Sequence, residues 1–134
     1  MIVSNRSEIT ILALDDELDV LDQLASILGA AGYNCRCCQS AVAAVQSMRE
    51  LAPHLIVADI NLSGKSGLAV CEKLTHEAGL DHVPVMFLSA AQVPDIIRRT
   101  HGACGTYYLR KPFDAAVLLE LVNRTTATLH LSGA

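Results

Sequence analysis

The chain has 134 residues, 51% of them hydrophobic, and a formal net charge of −4. That length fits one domain around one core, and that hydrophobic share excludes a disordered chain. Its apolar runs are too short to span a bilayer, and the lack of any lysine or arginine run longer than two argues against nucleic-acid binding by this chain alone.

The N-terminus MIVSNRSEI lacks the basic stretch followed by a long apolar stretch that marks a secretory signal. EITILALD (8–15) reads as a first strand ending in carboxylates. After it, Leu18, Leu21, Leu24, Ala25 and Leu28 fall on one helical stripe, and Gly32 suits the helix C-terminus. YNCRCC (33–38) is a short second strand on which Cys35 and Cys37 share a face, with Cys38 opening the exit loop. With Cys71 and Cys104 the cysteines number five, and an odd count without a signal peptide points to reduced thiols in a cytoplasmic protein. CRCC has no accompanying second pair of ligands, so these thiols read as small hydrophobes and not as a zinc site.

Ser40 caps a second helix that runs through Leu51 with Ala41, Val42, Val45 and Met48 inward, and Pro53 ends it. HLIVAD (54–59) is a third strand whose unbroken apolar run suits a strand covered on both faces. INLSGKSG is a loop in which Gly64 and Gly67 allow unusual backbone angles. Ser66 caps a helix from Gly67 to about Glu77. VPVMFLS (83–89) is the fourth strand, and Pro94 suits the first turn of a helix reaching about Thr100. Gly102 and Gly105 flank the turn into a fifth strand, Thr106 to Arg110. DAAVLLELVNRTTATL (114–129) is the closing helix, before a tail, LHLSGA, expected to fray.

A strand and a helix repeated five times predict a parallel sheet with right-handed crossovers. The expected fold is therefore α/β, a doubly wound (βα)5 three-layer sandwich with a five-stranded parallel sheet in the flavodoxin-like order 2-1-3-4-5. It forms a single domain over residues 1–134, with its core at about 8–129 and frayed termini.

Open parallel sheets bind ligands beyond the carboxyl ends of their strands. There the chain places Asp15 and Asp16, Asp59, Ser89, and the pair Arg110 and Lys111. Carboxylates gathered at one edge repel one another unless a cation joins them. Magnesium suits such a site, because it takes oxygen ligands and is held by one or two carboxylates plus a phosphate. A lysine and a hydroxyl on neighbouring strands can complete a phosphate site. The set supports phosphoryl chemistry at a carboxylate, with Asp59 as nucleophile and Lys111 balancing charge. Taken singly, each of these residues also fits a solvated strand end.

The segments LALDDE, LIVADINLSGKSG, VMFLSA and YYLRKPF together resemble a response-regulator receiver domain of two-component signalling, of the chemotaxis-regulator type. The resemblance covers about residues 8 to 129, and the thirty residues from Asp59 to Ser89 and twenty-two from Ser89 to Lys111 agree with it. It implies that Asp59 accepts a phosphoryl group from a phosphohistidine on a sensor histidine kinase or histidine phosphotransfer protein. It implies magnesium on Asp16 and Asp59, with Asp15 assisting and Asn61 giving its backbone carbonyl. Ser89 and Lys111 then hold phosphoryl oxygens, and Ser89 and Tyr108 form the switch. The surface of the fourth helix, fifth strand and fifth helix then controls an output domain or downstream protein, with a phosphorylation-dependent homodimer as one form of output. The Lys111–Pro112 bond is expected to be cis. The chain is no enzyme in this reading, beyond its own phosphoryl transfer and slow dephosphorylation. It is too short to add a DNA-binding output domain, so it is expected to be a stand-alone regulator or a piece of a longer protein.

The family loop reads D-x-x-M-P-x-x-x-G, whereas DINLSGKSG has Leu62 and Ser63 for Met-Pro. Loss of the proline is expected to loosen the loop without removing a ligand. Ala91, two past Ser89, bears with Asn61 on phosphoryl lifetime. Two rivals remain. A haloacid-dehalogenase-like phosphatase would use a similar set, but its strand-one motif is DxD, and here Asp15 and Asp16 are adjacent. A degenerate receiver serving as an interaction module is disfavoured by the complete acidic set. His54, His76, His82, His101 and His130 read as structural. Arg98, Arg99 and Arg110 form either a basic partner-binding patch or a solvated face.

Overall fold

The computed structural model describes residues 6–90 and 105–132. Its regular elements are β1 (Thr10–Leu14), α1 (Leu18–Ala30), β2 (Asn34–Cys38), α2 (Ala41–Leu51), β3 (Leu55–Asp59), β4 (Asn61–Leu62), β5 (Lys65–Ser66), α3 (Gly67–Glu77), β6 (Val85–Ser89), β7 (Gly105–Arg110) and α4 (Ala115–Ser132). Five strands pair in parallel in the order β2-β1-β3-β6-β7, which is the expected 2-1-3-4-5 order once the small hairpin β4–β5 is set apart. The helix expected from Pro94 to about Thr100 lies outside the described residues, as do Ala91, Arg98, Arg99, His101, Gly102 and Cys104.

The sheet carries a core on each face, which explains the unalternating strands. On one face Ile11, Ala13, Leu55, Val57, Met86 and Leu88 meet Leu21, Leu24 and Leu28 of α1 and Leu118 and Val122 of α4. On the other Leu12, Leu14, Ile56, Ala58, Val85 and Phe87 meet Ala44 and Met48 of α2 and Cys71 and Leu74 of α3. Because strand side chains alternate, Asp15, Asp59 and Lys111 each continue a row of the first face. Ser89 and Tyr108 continue rows of the second, and Tyr108 stands opposite Phe87 in the register.

Local chemistry sets the helix ends. The Ser40 and Ser66 hydroxyls accept from the amides of Ala43 and Ala69, as the caps predicted. Asp114 does the same for α4 through the Ala116 amide. Gly32, at a φ of +98°, closes α1 in the left-handed region, with Tyr33 N donating to Leu28 O.

Several expectations need correction. Leu18 points outward, 58% exposed, and Val20 takes its place in the buried stripe of α1. On α2 the sheet-facing set is Ala44, Ser47 and Met48. Small Ala44 allows close approach to the sheet, and this rotation leaves Val42 76% exposed. Cys38 is still in β2, buried, with its Sγ 3.5 Å from Ser47 Oγ. Finally, α4 runs to Ser132, through the start of the tail expected to fray.

His54 is structural, accepting the Thr10 amide on Nδ1 at 3.0 Å. Tyr33 pins the bottom of the sheet to α4. Its buried hydroxyl lies 2.5 Å from Asn123 Oδ1 and 3.2 Å from Thr126 Oγ1. Replacing Tyr33 by phenylalanine keeps the packing and strands the Asn123 oxygen, so stability should fall by about 1 kcal/mol. Urea denaturation should show a lower midpoint at unchanged slope.

Candidate functional site

The expected residues meet at the carboxyl edge of the sheet. β1 delivers Asp15 and Asp16, β3 ends in Asp59, β6 ends in Ser89, and the chain leaving β7 carries Lys111. The Lys111 backbone is fixed by its amide, which donates to Ser89 O at 2.7 Å, and the Lys111–Pro112 bond is cis, as expected. From there the ammonium reaches Asp59 Oδ2 at 2.5 Å and Asp15 Oδ2 at 2.9 Å, with Glu17 Oε1 at 3.6 Å. Sequence reasoning missed Glu17, which directly follows the acidic pair.

The second oxygen of each buried carboxylate is also held. Asp59 Oδ1 accepts the Asn61 amide at 2.7 Å, and Asp15 Oδ1 accepts the Glu17 amide at 2.9 Å. Both are two-residue turns in which an aspartate bonds its own backbone. Asp59 lines a cleft of about 400 Å³ together with Asp16, Glu17, Asn61, Ser63 and Ser89 among others, while Asp15 is fully buried beside it.

The segment expected to be a loop is a hairpin, with β4 and β5 antiparallel. Ser63 and Gly64 form its turn at φ values of +51° and +82°, the paired left-handed angles of a type I′ turn. The Asn61 side chain accepts the Gly64 amide at 3.0 Å. Ser63 donates its amide and its hydroxyl to Asp16 Oδ2, at 2.9 and 3.0 Å. The expected loosening is therefore answered by two bonds that proline, lacking an N–H and fixed near a φ of about −65°, does not make. Gly67 is also corrected. It needs no left-handed angle, but it is buried and its amide lies 2.6 Å from Ile60 O.

Oxygen atoms of Asp15, Asp16, Glu17 and Asp59 lie within 4.8 Å of one another. An all-carboxylate donor set of this kind fits a hard divalent cation. Burial pushes the Asp15 carboxyl above its ordinary value, against the pull of Lys111 and the Glu17 amide. For Asp16 a small burial effect is outweighed by the Ser63 hydroxyl and amide, which hold it below. Burial opposes the Lys111 ammonium, but the Asp59 and Asp15 hydrogen bonds outweigh it and raise its value.

A group with a raised folded-state carboxyl value binds protons more tightly in the folded state. Its stability contribution is full below the ordinary carboxylate range and is lost as pH rises through the folded value. Asp15→Asn removes the buried ionisation while its one carbonyl oxygen still accepts from either Lys111 or the Glu17 amide, so it should stabilise the protein in EDTA at pH 7 by about 0.5–2 kcal/mol. The gain should vanish below the ordinary aspartate range, and urea denaturation at pH 7 and at pH 3 checks both halves.

A family model described as the response regulator receiver domain matches residues 11–123. The DNA-binding response regulator MtrA of Mycolicibacterium paratuberculosis is 30% identical over 121 residues, 90% of this chain and 51% of that protein. The phosphate regulon transcriptional regulatory protein PhoB of Pseudomonas aeruginosa is 30% identical over 124 residues, 92% of this chain and 53% of that protein. The chain thus spans about half the length of these curated relatives. Among solved structures, NtrX from Brucella abortus in complex with ADP matches with a TM-score of 0.82 at 28% identity, covering 92% of this chain and 28% of that one. Chemotaxis protein CheY4 of Vibrio cholerae matches with a TM-score of 0.81 at 20% identity, covering 87% and 98%, a likeness of fold. Among the described residues no helix is long and apolar enough to cross a membrane.

Proposed function

The chain belongs to the response regulator receiver domain family, and from that premise we propose that it is the phosphoacceptor switch of a two-component phosphorelay, with Asp59 as acceptor. One observation carries the residue assignment. Asp59 ends the third strand of the sheet, lines the cleft at 6% exposure, and shares the Lys111 ammonium with Asp15.

In the proposed reaction an Asp59 carboxylate oxygen attacks the phosphorus of a phosphohistidine. The P–N bond breaks, its electron pair stays on the imidazole, and an aspartyl phosphate forms. Lys111 is already within reach of the acceptor, so it can follow the phosphoryl oxygens without crossing the cleft. Ser89, buried at the end of the adjacent strand, supplies a hydroxyl on the other side. Asp16, Asp59 and the Asn61 carbonyl would hold magnesium, with Asp15 assisting. When bound, it supplies positive charge against the phosphoryl oxygens. Ser89 and Tyr108 occupy neighbouring strands on one sheet face, which supports their pairing as the switch.

The partner that follows from this chemistry is a phosphohistidine on a sensor kinase or phosphotransfer protein. The output is read from the surface of β7 and α4 by a domain, a downstream protein or a second copy. MtrA is named as DNA-binding, and about half of its length lies outside the match, so an output domain of that kind suits this receiver as well.

The protein incubated with acetyl phosphate and magnesium should gain a single phosphoryl group by intact mass. The adduct should fail to form in EDTA and should be cleaved by hydroxylamine, as an acyl phosphate is. No adduct would leave an interaction module, and steady turnover of phosphoesters would indicate a phosphatase.

A further inference from the structure

We propose that Ser63 is a positioning residue for the cation, fastening the β4–β5 hairpin to the Asp16 carboxylate so that Asp16 and the Asn61 carbonyl are set in register before the metal arrives. The inference rests on the magnesium-dependent reading above. It concerns the position at which this chain departs from the receiver pattern.

Three features carry it. Ser63 gives both its donors, amide and hydroxyl, to one oxygen, Asp16 Oδ2, across 47 residues of sequence. Its φ of +51° is one that a non-glycine residue adopts at a cost, here held by those two bonds. The strand it fastens is short, and begins with Asn61, whose amide is bonded to Asp59 Oδ1 and whose side chain closes the same turn. A single residue thus couples a carboxylate leaving β1 to the backbone leaving β3. These are the two places from which the cation's ligands come.

Preorganisation of this kind raises affinity by removing the ordering that binding would otherwise require. Groups that hold a metal ligand in place typically contribute about 10–100-fold to affinity. Ser63 retains its amide in most variants, so loss of the hydroxyl alone should weaken magnesium by about tenfold.

The test is magnesium affinity by titration calorimetry without phosphodonor, with melting temperature measured in EDTA. Ser63→Ala removes the hydroxyl. Ser63→Gly also removes it while accepting the positive φ without strain, so a folding failure of the alanine variant would not decide the matter. Both should bind about tenfold more weakly. Ser63→Asn tolerates the same φ and restores a side-chain N–H donor, and its affinity should return to within about threefold of wild type. A contribution through turn geometry alone would leave the glycine variant unchanged.

Wild-type affinity in Ser63→Gly, or tighter binding in either truncated variant, would overturn the proposal. Tighter binding would mean that the two hydrogen bonds compete with the cation. If the wild type binds magnesium with this dependence on Ser63 but takes no phosphoryl group, the phosphoacceptor reading fails and this one stands. If the wild type binds no magnesium, both fail.

Discussion

Asp59→Asn should take up no phosphoryl group from acetyl phosphate under conditions where the wild type is labelled, a loss of at least about 100-fold in rate. The amide has the shape of the carboxylate but no anionic oxygen to attack phosphorus. The loss should not come from unfolding. The asparagine carbonyl oxygen can still accept from either the Asn61 amide or Lys111, which are now the two partners of the Asp59 oxygens. Lys111 also retains Asp15 at 2.9 Å. Removing one of four clustered carboxylates relieves repulsion, so the metal-free variant should melt at or above the wild-type temperature. Intact mass and a melting curve in EDTA, run side by side, separate the two effects. A phosphoryl group still taken up by the asparagine variant would move the acceptor role to Asp15 or Asp16.

That expectation exposes a tension at the edge of the sheet. Asp15 is 0% exposed and ionises against its surroundings, at a cost that Lys111 offsets in part. The same clustering of carboxylates suits a cation, and in the proposed reaction the transferred phosphoryl group would give the ammonium a new partner. Stabilising substitutions in this cluster are therefore expected to oppose function.

The parts legible in the sequence were those that depend on local chemistry or on a run of residue types. Unbroken apolar runs marked β1, β3 and β6, Ser40 and Ser66 marked two helix starts, and acidic and basic strand tips marked the candidate site, because a parallel sheet gathers its carboxyl ends. What escaped depends on through-space geometry. The inward stripe of α2 passes through Ser47 because Cys38 lies beneath it, and no pattern along α2 encodes Cys38. Ser63 looked like a weakening, since the gain comes from Asp16, far away in sequence. The hairpin was hidden by its length, two residues on each side, too short for any alternation to register.

Gly67 belongs to the same group, and Gly67→Ala should destabilise the protein by about 2–4 kcal/mol while slowing phosphoryl uptake about 100-fold. A Cβ at this position would lie 1.9 Å from the carbonyl oxygen of Asp59 and 2.9 Å from the carbonyl carbons of Asp59 and Ile60. All three atoms are backbone, so no side chain can swing aside. Two gains oppose the clash: alanine favours helix over glycine by up to about 1 kcal/mol, and it restricts the unfolded chain. Neither approaches the cost of opening a contact more than an ångström too short, for which real Cβ atoms keep at least 3.0 Å. The strain has two outlets. Either the first turn of α3 lifts and breaks the Gly67 N to Ile60 O bond, or the Asp59–Ile60 peptide shifts and carries the acceptor with it. The first outlet lowers stability, and the second misplaces the carboxylate relative to Lys111. Urea denaturation and the labelling rate at saturating magnesium measure the two separately. An alanine variant with wild-type values of both would show that the glycine is dispensable to the acceptor's position.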